Sequence, residues 1–143
     1  MSPESSSNKQ LIDMLNGALG WEMRALALYA HYAAYVKGIH RLHLKPFFEA
    51  EAAESLTHST AVRAAIVKLG GEALTDRDAT EIVHTTDYRV MLTEAMKTET
   101  HAAAAYKAIL DLGELDSELF DAIEQIKFAE QRAVEDLHQL GIE

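Results

Sequence analysis

Four glycine sites punctuate this chain: Gly38, Gly70-Gly71, Gly113 and Gly141. Each follows a long run with helical apolar spacing. Glycine is the usual residue just past a helix, because it takes the left-handed backbone conformation there without steric penalty. Four stops predict four helices. Both prolines, Pro3 and Pro46, lie outside the expected helix interiors, and no stretch alternates as a half-buried strand would. The length, 143 residues, suits one domain with one substantial core. The expected fold is all-α, an antiparallel four-helix bundle.

Helix A is expected over about Asn8–Lys37, capped by Ser7 or Asn8, with residues 1–8 a disordered polar tail and 9–143 the bundle domain. Its apolar line is Leu15, Leu19, Glu22, Leu26, Tyr29, Ala33, Val36. Gly17 and Gly20 weaken it and suggest the close approach of a neighbour. Helix B is expected from Pro46, suited to a first helical position, to Leu69. The short Gly38–Lys45 linker makes A and B antiparallel. The polar stretch Gly71–Thr86 reads as a long crossover with room for a helical turn. Helix C spans Asp87–Leu112 along Tyr88, Leu92, Ala95, Glu99, Ala102, Tyr106, Ile109, although Met91, Thr98, Ala105 and Leu112 form an equally apolar line. Helix D starts at Ser117 behind an Asp116 cap and runs along Leu119, Ile123, Ile126, Glu130, Ala133, Leu137, Leu140.

These lines contain groups that do not belong in an oily core. Helix B's reads Phe48, Glu51, Ser55, His58, Val62, Ala65, Leu69. Burying such polar groups without partners costs roughly 1–3 kcal/mol each, and more if they are charged. Glu22, Glu99 and Glu130 stand alone on the other three lines. One buried acid is an oddity, but several at one level of a bundle call for a cation. Oxygen and imidazole donors suit iron, manganese or zinc. The absence of cysteine excludes disulfides and thiolate sites. A net charge of −10, from 23 acids against 13 bases, argues against nucleic acid. No apolar run is long enough to span a membrane, and a soluble cytoplasmic protein is expected.

From Asn8 onward the chain resembles the ferritin-like superfamily, particularly its bacterioferritin and rubrerythrin branch. The resemblance is carried by Gly20-Trp21-Glu22 with Tyr29, by Glu54-Ser55-Leu56-Thr57-His58 and Lys68-Leu69-Gly70-Gly71, by Glu99, Ala102 and Tyr106, and by Glu130 with Leu137. It implies a ferritin-like bundle with a metal site at Glu22, His58, Glu99 and Glu130, Glu54 being a possible addition four residues before His58. In the family, helices B and D each supply Glu-x-x-His. Here Ser55 replaces the helix B glutamate and Ala133 the helix D histidine. One ion, held chiefly by Glu22, His58 and Glu130, is therefore expected in place of two. Iron is the first expectation, with manganese or zinc possible. The implied chemistry is oxidation of iron(II), or use of oxygen or peroxide. Whether the chain is an enzyme stays open. Leu56 stands where bacterioferritins can place a haem-binding methionine, so haem is not expected. The chain ends at Glu143, without the additional C-terminal helix of ferritin cages, which disfavours a cage.

Two alternatives accompany this reading: a non-enzymatic dimeric bundle whose site is vestigial, and a mini-ferritin-like iron-sequestering shell. In the vestigial case the acids would bond Tyr29, Tyr106, Arg or one another. Glu135 and His138, although a literal Glu-x-x-His, lie off the helix D line and read as a solvated face, as do His40 and His43 in the A–B turn. His101 points away from Glu99 and out of the bundle. Trp21, Tyr32 and Tyr35 lie off the core lines and suggest apolar surface for a homodimer.

Overall fold

The computed structural model describes residues 3–113 and 115–141, with side chains from Asn8 onward. Four helices follow one another: α1 (Pro3–Tyr35), α2 (Arg41–Lys68), α3 (Tyr88–Leu112) and α4 (Ser117–Gln139). No strand occurs among the described residues. α1 packs along α2 and α3 along α4, and α1 also lies against α3, whereas α2 and α4 approach only locally. The expected all-α antiparallel bundle with a long crossover is what forms.

The starts of α3 and α4 are set locally. The Asp87 carboxylate accepts from Arg89 N at 2.9 Å, and that of Asp116 from Leu119 N at 2.8 Å. Such caps contribute about 1 kcal/mol each by satisfying an otherwise orphan N–H. The four glycines with positive φ are Gly38, Gly70, Gly113 and Gly141, the four punctuation sites.

The first two helices begin earlier than expected. α1 starts at Pro3, so Ser7 and Asn8 lie within it and do not cap it. Met1 and Ser2 fall outside the described residues. α2 starts at Arg41, so Pro46 lies inside it and not at its first position. The carbonyl that Pro46 cannot bond belongs to Leu42, which is 77% exposed, so water can satisfy it and the usual proline penalty is reduced. Arg41 itself fixes the corner. Its Nη1 donates to Val36 O at 2.8 Å and to Ala33 O and Ala34 O at 3.3 Å, satisfying carbonyls at the end of α1.

The crossover has no helical turn. Instead it is tied along one side of α1. Asn16 exchanges hydrogen bonds with Glu72 O and Leu74 N at 3.0 and 2.9 Å. Asp78 N donates to Gly20 O at 3.0 Å. A Cβ at Gly20 would lie 3.3 Å from Asp78 N, so Gly20 permits the approach; nothing lies within 4 Å of one at Gly17. The buried Arg24 donates to Thr80 O, Glu81 O and the Thr98 hydroxyl at 2.9, 2.8 and 2.7 Å. Tyr32 donates to Val83 O at 2.7 Å. α1 therefore has two working sides, one for the core and one for the crossover. Of the aromatics expected at a dimer surface, this second side takes up Tyr32, which is fully buried. Trp21 stacks flat on His101 of α3, and Tyr35 packs on His31 and His84 but stays 43% exposed.

The core divides into two apolar clusters. One gathers Leu28, Tyr29, Tyr32, Leu44, Phe48, Met91, Leu92 and Leu137. The other gathers Leu15, Leu19, Val62, Ile66, Tyr106, Ile109, Ile123 and Ile126. A Leu or Ile moved fully from water into such a cluster stabilises the fold by roughly 1.5–3 kcal/mol. The two clusters are separated by about two turns on α1 and α3 and by about three on α2 and α4, and Glu22, Ser55, His58, Glu99 and Glu130 occupy that interval.

Candidate metal centre

Each helix delivers its polar residue to this interval because apolar residues on both sides of it are buried. α2 is rotated slightly from the expected line. Its buried residues are Leu44, Phe48, Ala52, Ser55, Ser59, Val62 and Ile66, leaving Glu51 and His58 on the flanks. On α3 the two competing lines merge at the near end, where Met91 and Thr98 are buried beside Leu92, Ala95 and Glu99. On α4, Glu130, Ala133 and Leu137 are buried, while Leu140 is 44% exposed and leaves the line.

The side chains meet in one hydrogen-bonded chain across all four helices. The Tyr29 hydroxyl donates to Glu99 Oε1 at 2.7 Å. Glu99 and Glu130 share a hydrogen bond. Glu130 Oε1 lies 2.9 Å from His58 Nδ1, and the same nitrogen is 3.3 Å from Glu22 Oε2. The Tyr106 hydroxyl donates to Glu22 Oε2 at 2.6 Å. Every buried side-chain nitrogen and oxygen among the described residues has a partner.

Protonation follows from this packing. Burial pushes the Glu99 carboxyl well above the ordinary carboxylate range, reinforced by its hydrogen bond to Glu130 and by that neighbour's charge. Burial likewise raises Glu130 to about 7, although the bonds from Glu99 and His58 pull the other way. Burial alone would lower His58, but its bonds to Glu130 and Glu22 more than reverse this and hold it at about 10. Burial thus favours the neutral forms of Glu99 and Glu130, while the bonds to Glu130 and Glu22 favour the charged form of His58. Burial drives Tyr29 and Tyr106 far above 10, with Glu99 and Glu22 adding to it.

Glu22, His58 and Glu130 each offer a ligand atom, all within 4.8 Å of one another. Metal–ligand bonds of about 2.0–2.2 Å place neighbouring donors about 3.0–3.4 Å apart. The 2.9 and 3.3 Å separations around His58 Nδ1 match, so a cation can take the place of the shared proton. Glu99 stands beside this trio, engaged by Tyr29. Glu54 is half-exposed, with Oε1 3.5 Å from His58 Nε2, on the outer side of the imidazole. Ser55 and Ala133 are buried, and Ala133 also lines a cavity of about 240 Å³ with Glu51, Glu54, Arg132, Glu135 and Asp136. Glu135 and His138 are exposed on α4, and His43 and His101 are exposed as well, with His40 half-buried on Tyr88.

The ferritin-like domain profile matches residues 12–140. The chain belongs to the ferritin-like family. A solved ferritin-like, diiron-carboxylate protein from Bacillus anthracis is 32% identical to this ferritin-like chain, with a TM-score of 0.89 over 98% of this chain and 99% of that one. The dodecameric thioferritin of Bacteroides fragilis, a bacterioferritin-related protein, is 26% identical, with a TM-score of 0.85 over 92% and 84%. The bacterioferritin of Desulfovibrio desulfuricans, at 21% identity and a TM-score of 0.80 over 99% and 83%, shares the fold. No curated protein matches the chain.

Two residues of the interior carry no clear mark in the sequence. Arg24 has no periodicity signal, because its partners lie on the irregular crossover. Glu51 lies on the helix B line, but nothing in its spacing assigns it to the site. Burial raises its carboxyl to about 7, with the charges of Glu99 and Glu54 adding to the effect.

Proposed function

We propose that this ferritin-like protein binds a single metal ion per chain, most readily iron, through Glu22, His58 and Glu130. The observation that carries the reading is the convergence of one imidazole nitrogen and two carboxylate oxygens from three helices in a buried interval. The donor set fits iron, and also manganese or zinc. The diiron relative from Bacillus anthracis supports iron. Glu99, bonded to Tyr29 beside the trio, and Glu54, at the outer edge of His58, are the reserve carboxylates.

Ser55 and Ala133 bear on the number of ions. Serine at 55 offers no carboxylate to bridge two ions, and alanine at 133 offers no imidazole for a second. When loaded with iron(II), such a site supplies one electron per ion to oxygen or peroxide. Reduction of peroxide to water takes two electrons, so paired sites or successive turnovers are needed. Binding is therefore the primary activity in this reading, and rapid iron oxidation is not. Loading displaces the proton from His58 Nδ1, so binding strengthens as pH rises.

The complete hydrogen bonding of the metal-free cluster favours a second reading, a vestigial centre that serves only to specify the bundle. Calorimetric titration with iron(II) under anaerobic conditions separates the two. One saturable site in the wild type, lost in His58→Ala, supports binding. No heat in either protein supports the vestigial centre.

The chain is further proposed to pair with a second copy through the outer side of α2. Leu42, Leu56 and Val67, at 77%, 54% and 65% exposure, lie close to one line on that helix. Solution mass with Leu56→Lys as the comparison tests this: the wild type should be a dimer and the variant a monomer.

A further inference from the structure

Outside the central interval, two imidazoles meet where the crossover passes α1. His31 Nε2 on α1 lies 2.9 Å from His84 Nδ1 on the crossover, 53 residues away in sequence. Their ring planes cross at 71°. Tyr35 packs on both rings, with centroids 4.6 Å from His31 and 4.7 Å from His84. The backbone beside His84 is fixed as well, because Tyr32 holds Val83 O at 2.7 Å. The two nitrogens are thus brought together by separate elements, each held by other contacts, and the pair is open to solvent.

We propose that His31 and His84 form a second metal site, which takes an imidazole-seeking divalent ion such as copper(II) or zinc(II). The 2.9 Å separation is close to that of neighbouring donors on an ion with bonds of about 2.0–2.1 Å. In the neutral pair a single hydrogen sits between the two nitrogens. The donor ring frees its nitrogen by carrying that hydrogen on its other nitrogen, a tautomer change with no net proton transfer. Both lone pairs then become available, and water fills the remaining positions. Paired imidazoles without a carboxylate select copper, nickel and zinc over magnesium, calcium and manganese. The central cluster, with two carboxylates to one imidazole, has the harder donor set. The net charge of −10 draws cations to the surface. Because the two nitrogens are already adjacent, binding needs each ring to turn its lone pair off the N···N line towards the ion, and not to bring distant groups together. A bound ion staples the crossover to α1 one residue beyond the Tyr32 anchor.

The test uses the full chain carrying His58→Ala, so that the central cluster does not report. Copper(II) added to this variant should bind at one ion per chain and give a paramagnetic resonance spectrum with two imidazole nitrogens. Zinc(II) should raise its thermal midpoint. Adding His84→Ala should weaken copper binding by about tenfold or more, reduce the nitrogen count and abolish the zinc effect. Adding His43→Ala should change none of these. His84 is exposed on the crossover, and metal-free melting of the His84→Ala chain checks that it folds. Copper bound equally well without His84, or no copper bound by the His58→Ala chain, would overturn the proposal. Iron binding at the centre is measured in chains that keep His58, so failure of either reading leaves the other standing.

Discussion

Tyr106 on α3 donates a 2.6 Å hydrogen bond to Glu22 on α1, and Tyr29 on α1 returns the arrangement by donating to Glu99 on α3 at 2.7 Å. Each tyrosine is buried in one of the two apolar clusters and reaches the polar interval only with its hydroxyl. The tyrosines thus join the core to the cluster and hold two of its carboxyl groups in place. Replacing Tyr106 with Phe removes the shorter contact to the buried Glu22 Oε2 and leaves only His58 Nδ1 at 3.3 Å, which costs roughly 1–3 kcal/mol. The urea midpoint of the metal-free protein should fall, with no change in helix content. An unchanged midpoint would mean that the hydroxyl is dispensable.

Metal-free stability should decline as pH rises from about 5 to 10. Glu130 and Glu51 are raised by burial from 4.5 to about 7. Between those values the folded chain holds protons that the unfolded chain has lost, so stability falls with pH. His58, lifted from 6.5 to about 10 by Glu130 and Glu22 against the effect of burial, extends the trend. Its contribution is fully present below 6.5 and is lost as pH passes about 10. Urea midpoints of chelator-treated protein at acid, neutral and alkaline pH check the sign, and a rising series contradicts it. Saturating metal should flatten or reverse the slope, since it replaces the His58 proton.

The parts of the fold legible in sequence are those fixed within one helical turn or repeated along a helix. Asp87 and Asp116 announce the starts of α3 and α4 because their caps act within three residues. Glu22, Glu99 and Glu130 stand out because an acid on an apolar line needs a partner. Less legible is the rotation of α2: Ala52, Ser55 and Ser59 are small, so helix B's line can be drawn on either side of them. The start of α2 misleads for a physical reason, because an exposed carbonyl before Pro46 removes much of the penalty that would exclude it from a helix. Arg24, Tyr32 and the His31–His84 pair depend on the path of an irregular crossover, which leaves no periodic trace.

Ser55→Glu combined with Ala133→His should raise metal content towards two ions per chain and introduce oxygen-dependent iron oxidation. The new imidazole has room in the cavity of about 240 Å³ that Ala133 lines, and the new carboxylate lies next to His58's turn of α2. Metal analysis together with an optical iron-oxidation assay reads both effects. No rise in metal content would show that more than these two ligands separates the centre from a two-ion site.

Arg24→Met should destabilise the chain by about 3 kcal/mol or more, since it removes donors from Thr80 O, Glu81 O and the Thr98 hydroxyl. Hydrogen exchange should rise first in residues 78–83, with the four helices still protected. Uniform loss of protection would instead make Arg24 a residue of the whole bundle.

The most direct measurement is the metal content of the gently purified wild type, by mass spectrometry of the elements, alongside His58→Ala and His138→Ala. Iron reports the centre, while copper and zinc are tracked separately as ions the His31–His84 pair could hold. The account predicts one iron per chain in the wild type and in His138→Ala, and little in His58→Ala. Two irons in the wild type, iron dependent on His138, or none after reloading with iron(II) would contradict it.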